Sequence, residues 1–291
     1  MRSGIVAVVG RPNVGKSTLV NSLVGQKVAI VSDKPQTTRR GIRGIVTTDE
    51  AQVVFVDTPG FHKPRTALGS RLNEIVGGST EGVDAIVQVV DAAAGVGRGD
   101  AYVYGQQLAH HPVPKLCAVN KIDAIRGRKE VPQLQAASDL GEFDEVVPVS
   151  AKTGSGLRLL LQLIIERLPD GPPLYPPDEV TDVPIEERLA ELIREQALAV
   201  TREEVPHSIA VVVEDVEREE DLTRVHANLI VERDSQKGIV IGRGGETLRT
   251  IGSKARGEME ALLGTRLFLD LRVKVLKEWQ RDPKALQRLG F

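Results

Sequence analysis

Five unbroken apolar residues, Ile5–Val9, run directly into Gly10-Arg-Pro-Asn-Val-Gly-Lys-Ser17, and a helical pattern over Lys16–Leu23 follows. A buried strand, a glycine turn of GxxxxGK[ST] spacing and a helix narrow the fold sharply. The glycines let the main chain curl with its amides pointing inward, and the helix N-terminus adds a partial positive charge. Such a turn cradles phosphate. Lys16 is placed to reach the β- and γ-phosphates of a nucleotide, and the Ser17 hydroxyl to ligate magnesium. The alternative is a glycine-rich strand–helix turn with no ligand, and the presence of strand, loop and helix together favours the phosphate site.

Further apolar runs at Val53–Val56, Ala85–Val90 and Leu116–Val119 read as strands buried on both faces. Segments Tyr102–Ala109 and Leu157–Leu168 fit intervening helices. This alternation predicts an α/β domain with a mostly parallel sheet and helices on both faces. The stretch Pro169–Pro184 holds six of the sixteen prolines. Proline fixes φ and removes donors, so the stretch reads as a stiff, extended linker. The expected division is a nucleotide-binding domain over 1–170, a linker over 171–184 and a second domain over 185–291. Two domains also suit a length of 291 residues.

After the linker the order changes. Leu189, Leu192, Ile193 and Val200 share a helical face within Glu186–Val200, and Ser208–Val213 and Ala227–Val231 are strand-like. Leu248, Ile251, Ala255, Met259 and Leu262 recur at helical spacing, and Arg266–Val275 alternates strictly. A small α+β domain is expected.

Composition excludes several classes. The chain is 41% apolar and 27% charged, and no run approaches the ~18 apolar residues of a membrane span. The start, MRSGIVAVVG, has neither the length nor the cleavage site of a signal peptide. A single cysteine, Cys117, excludes an intramolecular disulfide framework and a multi-cysteine zinc site, and fits a reducing cytoplasm. Charge is uneven: 20 Lys+Arg against 17 Asp+Glu over 1–177, 5 against 15 over 178–227, and 13 against 8 over 228–291. A basic end behind an acidic stretch points to a polyanion at the last third of the chain.

The base is read further along. Asn120-Lys121-Ile-Asp123 follows the run Leu116–Val119, at the strand ends where open α/β sheets bind ligands. The Asp123 carboxylate accepts from guanine N1 and the exocyclic amine, for which adenine has no matching donors. Asp57-Thr58-Pro59-Gly60 ends the strand Val53–Val56, where Asp57 holds magnesium through water and the Gly60 amide meets the γ-phosphate.

These motifs in this order resemble the translation-factor-related GTPases, and the whole chain, second domain included, is similar to the Era family of bacterial GTPases of small-ribosomal-subunit assembly. Residue by residue, the resemblance assigns Gly10, Arg11, Pro12, Asn13, Val14, Gly15, Lys16, Ser17 and Thr18 to the phosphate loop. It assigns Asp57, Thr58, Pro59, Gly60 and Phe61 to the start of switch II, and Asn120, Lys121 and Asp123 to the guanine box. Ser150, Ala151 and Lys152 form the loop whose Ala151 amide meets guanine O6. Gln36-Thr37-Thr38-Arg39 matches a switch I segment; Thr38 is assigned to magnesium beside Ser17 and Asp57, with Thr37 the competing choice. Phe61 stands where Ras-like enzymes carry a water-orienting glutamine, so intrinsic hydrolysis is expected to be slow. Asn13 sits where relatives help coordinate potassium, or it only caps the loop. Lys16, Thr38 and Gly60 are further candidates for positioning the transition state, and no side chain is assigned as general base.

In the second domain, Ile239-Val240-Ile241 precedes Gly242-Arg243-Gly244-Gly245, a GxxG element ahead of a helix. KH domains use such a loop to clamp the backbone of about four single-stranded nucleotides. The αββ…αβ order resembles a type II KH domain. Arg243, Arg249, Lys254 and Arg256 supply charge for phosphates, with Lys274 and the basic tail extending the track and Trp279 available for stacking. The resemblance implies a GTP hydrolase that requires magnesium and binds the 3′ end of 16S ribosomal RNA in 30S assembly. It implies a cytoplasmic monomer with peripheral contact to the inner membrane, and switches that GTP orders and hydrolysis releases.

Overall fold

The computed structural model describes residues 1–34, 37–39, 41–59, 68, 72, 78, 82–125, 127, 130–201 and 205–289. Contacts divide the chain into two compact units, with the main break between Asp182 and Val183.

The first unit carries β1 (Arg2–Val9), α1 (Lys16–Val24), β2 (Ile42–Thr47), β3 (Ala51–Asp57), β4 (Ala85–Asp91), α2 (Arg98–Gln107), β5 (Lys115–Asn120), α3 (Glu130–Ser138), β6 (Glu145–Pro148) and α4 (Leu157–Ile165). The strands form one six-stranded sheet in the order β2-β3-β1-β4-β5-β6. All pairs are parallel except β2–β3. The order reverses between β3 and β4 around β1, so the loops at the strand C-termini open at a topological switch point. The apolar runs of the sequence are the central strands: every residue of β3 and of β4 is buried. One side of the sheet packs Val6, Val8, Phe55, Val87 and Leu116 against Leu19, Leu160 and Ile164 of α1 and α4.

The proline-rich stretch, read above as a stiff, extended linker, is held in place along its length by hydrogen bonds. Its first part lies on the first unit, where the buried Gln52 side chain accepts from the amides of Leu174 (2.6 Å) and Tyr175 (2.9 Å) and donates to the Tyr175 carbonyl (2.9 Å). The Ile45 amide donates to Val180 (2.9 Å), and Asp182 accepts from Tyr175 Oη (2.9 Å) and Arg43 Nη1 (2.6 Å). Chain with few amide donors of its own is thus held by donors and acceptors of β2 and β3.

The second unit contains α5 (Ile185–Val200), β7 (Ala210–Arg218), β8 (Leu222–Val231), α6 (Asp234–Ile241), α7 (Glu246–Leu263), β9 (Arg266–Val275) and α8 (Pro283–Arg288). Its sheet runs β7-β8-β9, antiparallel then parallel. Leu189 and Ile193 of α5 and Ile251, Ala255 and Met259 of α7 bury against Val225, Ala227, Leu229 and Leu267. The alternation in Arg266–Val275 sends its leucines and valines to this core and Asp270, Arg272 and Lys274 to the other face. The apolar triplet Ile239–Ile241 is the last turn of α6.

Candidate functional site

The phosphate loop joins β1 to α1 through three residues with positive φ: Gly10 (154°), Asn13 (64°) and Gly15 (98°). Only glycine fits two of them. A Cβ on Gly10 would lie 2.5 Å from the Val89 carbonyl oxygen, and one on Gly15 would lie 2.4 Å from Asn120 Nδ2. Lys16 is buried, and its Nζ donates to the carbonyls of Gly10 (3.1 Å) and Arg11 (3.0 Å), curling the loop around it. Burial lowers its ammonium to about 8, against an opposing pull from Asp57.

Beside it, three oxygen-bearing side chains converge. Asp57 Oδ2 accepts from Ser17 Oγ (2.7 Å) and Thr38 Oγ1 (3.2 Å), and the two hydroxyls lie 3.0 Å apart. The other carboxylate oxygen, Asp57 Oδ1, is buried with no hydrogen-bond partner among the described residues. Burial raises the Asp57 carboxyl; Lys16, Ser17 and Thr38 oppose that shift. An orphaned carboxylate oxygen next to two hydroxyls is the hard donor set magnesium takes. Thr37 turns away: its Oγ1 donates to the Lys34 carbonyl (2.6 Å). The Thr58 hydroxyl, expected near the nucleotide, is spent on the Val8 carbonyl (2.8 Å) because the residue is wholly buried against β1. Gln36, Gly60, Phe61 and His62 lie outside the described residues.

The base loops are tied to the phosphate loop. Asn120 Nδ2 donates to the Val14 carbonyl (2.9 Å), and Asn120 Oδ1 accepts the Ala151 amide (3.0 Å), so that amide, expected on guanine O6, already has a partner in the protein. Ser150 Oγ donates to Asp123 Oδ1 (2.7 Å), and Ser22 Oγ of α1 donates to the Ala151 carbonyl (2.7 Å). Lys121 holds a left-handed backbone (φ 65°), and its Nζ donates to the Asn13 carbonyl (2.8 Å).

Sequence reasoning missed three supporting side chains. Asp91 pairs with Lys121 (2.6 Å), and the buried Asp100 pairs with Arg11 of the phosphate loop (2.8 Å). Asn21 Oδ1 accepts the amides of Val28 and Ala29, each at 2.9 Å, folding back the chain that leaves α1. Asp91 carried the same signal as Asp57, a carboxylate ending a wholly buried, mostly apolar strand.

In the second unit, α6 ends at Gly242 and α7 begins at Glu246, with Gly242 (φ 74°), Gly244 (57°) and Gly245 (80°) turning the chain between them. A Cβ on Gly242 would lie 2.2 Å from Thr247 Oγ1, whereas Gly244 and Gly245 face open space. Arg243, Arg249, Lys254 and Arg256 are exposed, as is Ile239. Lys274 is exposed on the face of β9 turned away from α7 and pairs with Glu214 (2.9 Å). Two expectations are corrected. Val240 is wholly buried in the core, because the α6 helix turns it inward. Trp279 is wholly buried, its Nε1 donating to the Ser208 carbonyl (3.1 Å), and does not stack on a base. Trp279→Phe takes this donor from the buried Ser208 carbonyl and opens space in the core, so it is expected to cost roughly 1–3 kcal/mol and to leave RNA affinity unchanged; thermal melting and RNA titration of the full chain check both.

Phosphate, metal and purine sites in this order along one edge of a parallel sheet are the arrangement of a P-loop GTPase. Residues 5–121 match the family model described as 50S ribosome-binding GTPase, and residues 204–280 match the KH domain. The chain belongs to the GTPase Era family. It is 53% identical over 295 aligned residues to GTPase Era of Mycolicibacterium smegmatis, covering 100% of this chain and 99% of that one. GTPase Era of Mycobacterium tuberculosis is also 53% identical, with 99% and 98% covered. A crystal structure of Era in complex with MgGDPNP and nucleotides 1506–1542 of 16S ribosomal RNA superposes with a TM-score of 0.96 at 39% identity, covering 100% of this chain and 99% of that one. A point variant of Aquifex aeolicus Era bound to GDP and aluminium fluoride superposes equally, at 0.96 and 40% identity, with the same coverage.

Proposed function

We propose that this protein binds and hydrolyses GTP in its first unit and binds the 3′-end region of 16S ribosomal RNA through its second, acting in 30S subunit assembly. The observation that carries the enzymatic half is the convergence of Lys16, Ser17, Thr38 and Asp57 at the mouth of the phosphate loop. The Era relatives crystallised with MgGDPNP and 16S ribosomal RNA, and with GDP and aluminium fluoride, support both halves.

Ser17 and Thr38 would hold magnesium, with the orphaned Asp57 oxygen accepting from the ion's water shell. Among the described residues no three His, Cys, Asp or Glu side chains gather, so the hydroxyls are essential to that set. A magnesium ion held by these residues would supply positive charge against that building on the phosphate oxygens. Lys16 exchanges its two carbonyl partners for phosphate oxygens, and the inward amides of Gly10–Ser17 orient the chain of phosphates. Thr38 ties switch I to the metal cluster, so loss of the γ-phosphate frees that segment. The exposed loop Gly242–Gly245, with Arg243, Arg249 and Lys254, receives the RNA backbone. The protein acts as a cytoplasmic monomer that touches the inner membrane peripherally; among the described residues no helix is long and apolar enough to cross one. Potassium at Asn13 predicts faster turnover in potassium than in sodium chloride.

Titration of the full chain with a 16S 3′-end oligonucleotide and a scrambled control, with GDP and with a non-hydrolysable GTP analogue, tests the reading. The native sequence is expected to bind at least about tenfold more tightly, and magnesium-dependent release of phosphate from GTP should accompany it. Equal affinity for both oligonucleotides overturns the ribosomal assignment. No turnover with RNA and potassium present reduces the protein to a scaffold.

A further inference from the structure

We propose that Asp91 is a positioning residue for guanine-nucleotide affinity, acting through Lys121; the inference rests on the guanine-site reading above. Asp91 is the last residue of β4 and lies opposite Asn120 of β5 in the sheet register. Its side chain is 9% exposed and both oxygens are engaged. Oδ1 accepts the amides of Ala93 (2.8 Å) and Ala94 (3.0 Å), turning the chain out of the strand. Oδ2 accepts from Lys121 Nζ at 2.6 Å.

Lys121 needs such a partner. Its backbone sits in the left-handed region, which most side chains avoid, and its long side chain has several rotamers to lose. The Asn13 carbonyl alone offers one neutral acceptor. The carboxylate adds a charged one, and the two together stretch the lysine stem between the phosphate loop and the base loop. The main chain after Asp91 is tied to that before Lys121 as well, since the Ala92 amide donates to the Asn120 carbonyl (2.9 Å). Asp91 therefore sets the direction in which Lys121 crosses the base site before any nucleotide arrives. A preorganised contact costs less ordering on binding, and its loss appears mainly in the off-rate.

The turn and the ion pair are separable. Asp91→Asn keeps an oxygen for the Ala93 and Ala94 amides and replaces the charged acceptor facing Lys121 with an NH2 donor, which breaks the ion pair and its hydrogen bond. Lys121 is 37% exposed, so solvent screens the pair and the effect is moderate. Stopped-flow displacement of a fluorescent GDP and of a fluorescent non-hydrolysable GTP analogue from the full chain is the measurement. Asp91→Asn is expected to speed release of both about tenfold and by the same factor, because the base site does not sense the γ-phosphate. In combination with Lys121→Ala it should add nothing further. The melting temperature of the nucleotide-free chain should stay within about 2 °C. Release within twofold of wild type, additive effects in the double variant, or acceleration by Asp91→Ala but not Asp91→Asn each overturn the proposal; the last assigns Asp91 to the turn alone. Failure of the wild-type chain to bind either nucleotide overturns the guanine-site reading itself.

Discussion

Asp123→Asn is expected to lower affinity for GTP about 10³-fold and to create affinity for xanthosine triphosphate. The Ser150 hydroxyl fixes the outcome. It donates to Asp123 Oδ1 at 2.7 Å, so an asparagine at this position orients its carbonyl oxygen toward Ser150 and presents its NH2 group to the base. Guanine brings donors at N1 and at the exocyclic amine, and donors would then face donors. Xanthine carries an oxygen in place of that amine and accepts the new hydrogen bond. Hydrolysis takes place at the other end of the nucleotide, where Lys16 and Asp57 are untouched, so turnover of bound xanthosine triphosphate should approach that of GTP in the unaltered chain. Competition of both triphosphates against fluorescent GDP, followed by phosphate release, reads the switch. An equal loss for both bases would place the defect in folding of the base loop.

The second large effect is expected at Gly244. Its backbone is left-handed (φ 57°, ψ 20°), and a Cβ there would have no neighbour within 4 Å among the described residues. Aspartate tolerates this conformation better than most residues. Gly244→Asp therefore leaves the loop standing and sets a negative charge where phosphate would lie. RNA affinity should fall about 10²-fold, with GTP turnover in the absence of RNA unchanged. Substituting Gly242 is a different experiment, since its Cβ would strike Thr247 Oγ1 and unseat the start of α7. Titrations at two salt concentrations, with thermal melting alongside, separate the two. Loss of RNA binding together with early melting of the Gly244 variant would remove the phosphate clamp as its explanation.

Much of this site is written in the residues, for a physical reason. Parallel strands covered on both faces are mostly apolar, so Ile5–Val9, Val53–Val56, Ala85–Val90 (broken only by the buried Gln88) and Leu116–Val119 announce themselves, and the carboxylates and amides that end them stand out. β2 is hidden because it is an antiparallel edge strand: Arg43 faces out toward Asp182, and Gly44 interrupts the run so that Val20 and Val24 can approach the backbone. β6 has only four residues and ends on a proline. Supporting side chains escape for another reason. Asp91 and Asp100 act on Lys121 and Arg11, residues 30 and 89 positions away, and no local pattern encodes a contact made by tertiary packing. Trp279 misleads because an indole suits a base stack and a buried wedge equally well; only its exposure, which is zero, separates them. The GxxG element was readable because positive φ at three of its four positions leaves little but glycine.

Gln52 has a consequence for where this chain can be cut or recombined. Its amide is wholly buried in β3, and its oxygen and nitrogen are committed to Leu174 and Tyr175, over 120 positions downstream. A gene fusion joined at residue 170 would strand that amide in the sheet with partners missing, at roughly 1–3 kcal/mol for each buried group left unmet. One joined just after Asp182 would carry the whole belt along, Tyr175 and Arg43 still gripping its final carboxylate. Exchange of RNA-binding modules between chains of this kind is therefore tolerated at a seam of three residues, 182–184, and penalised a dozen residues upstream.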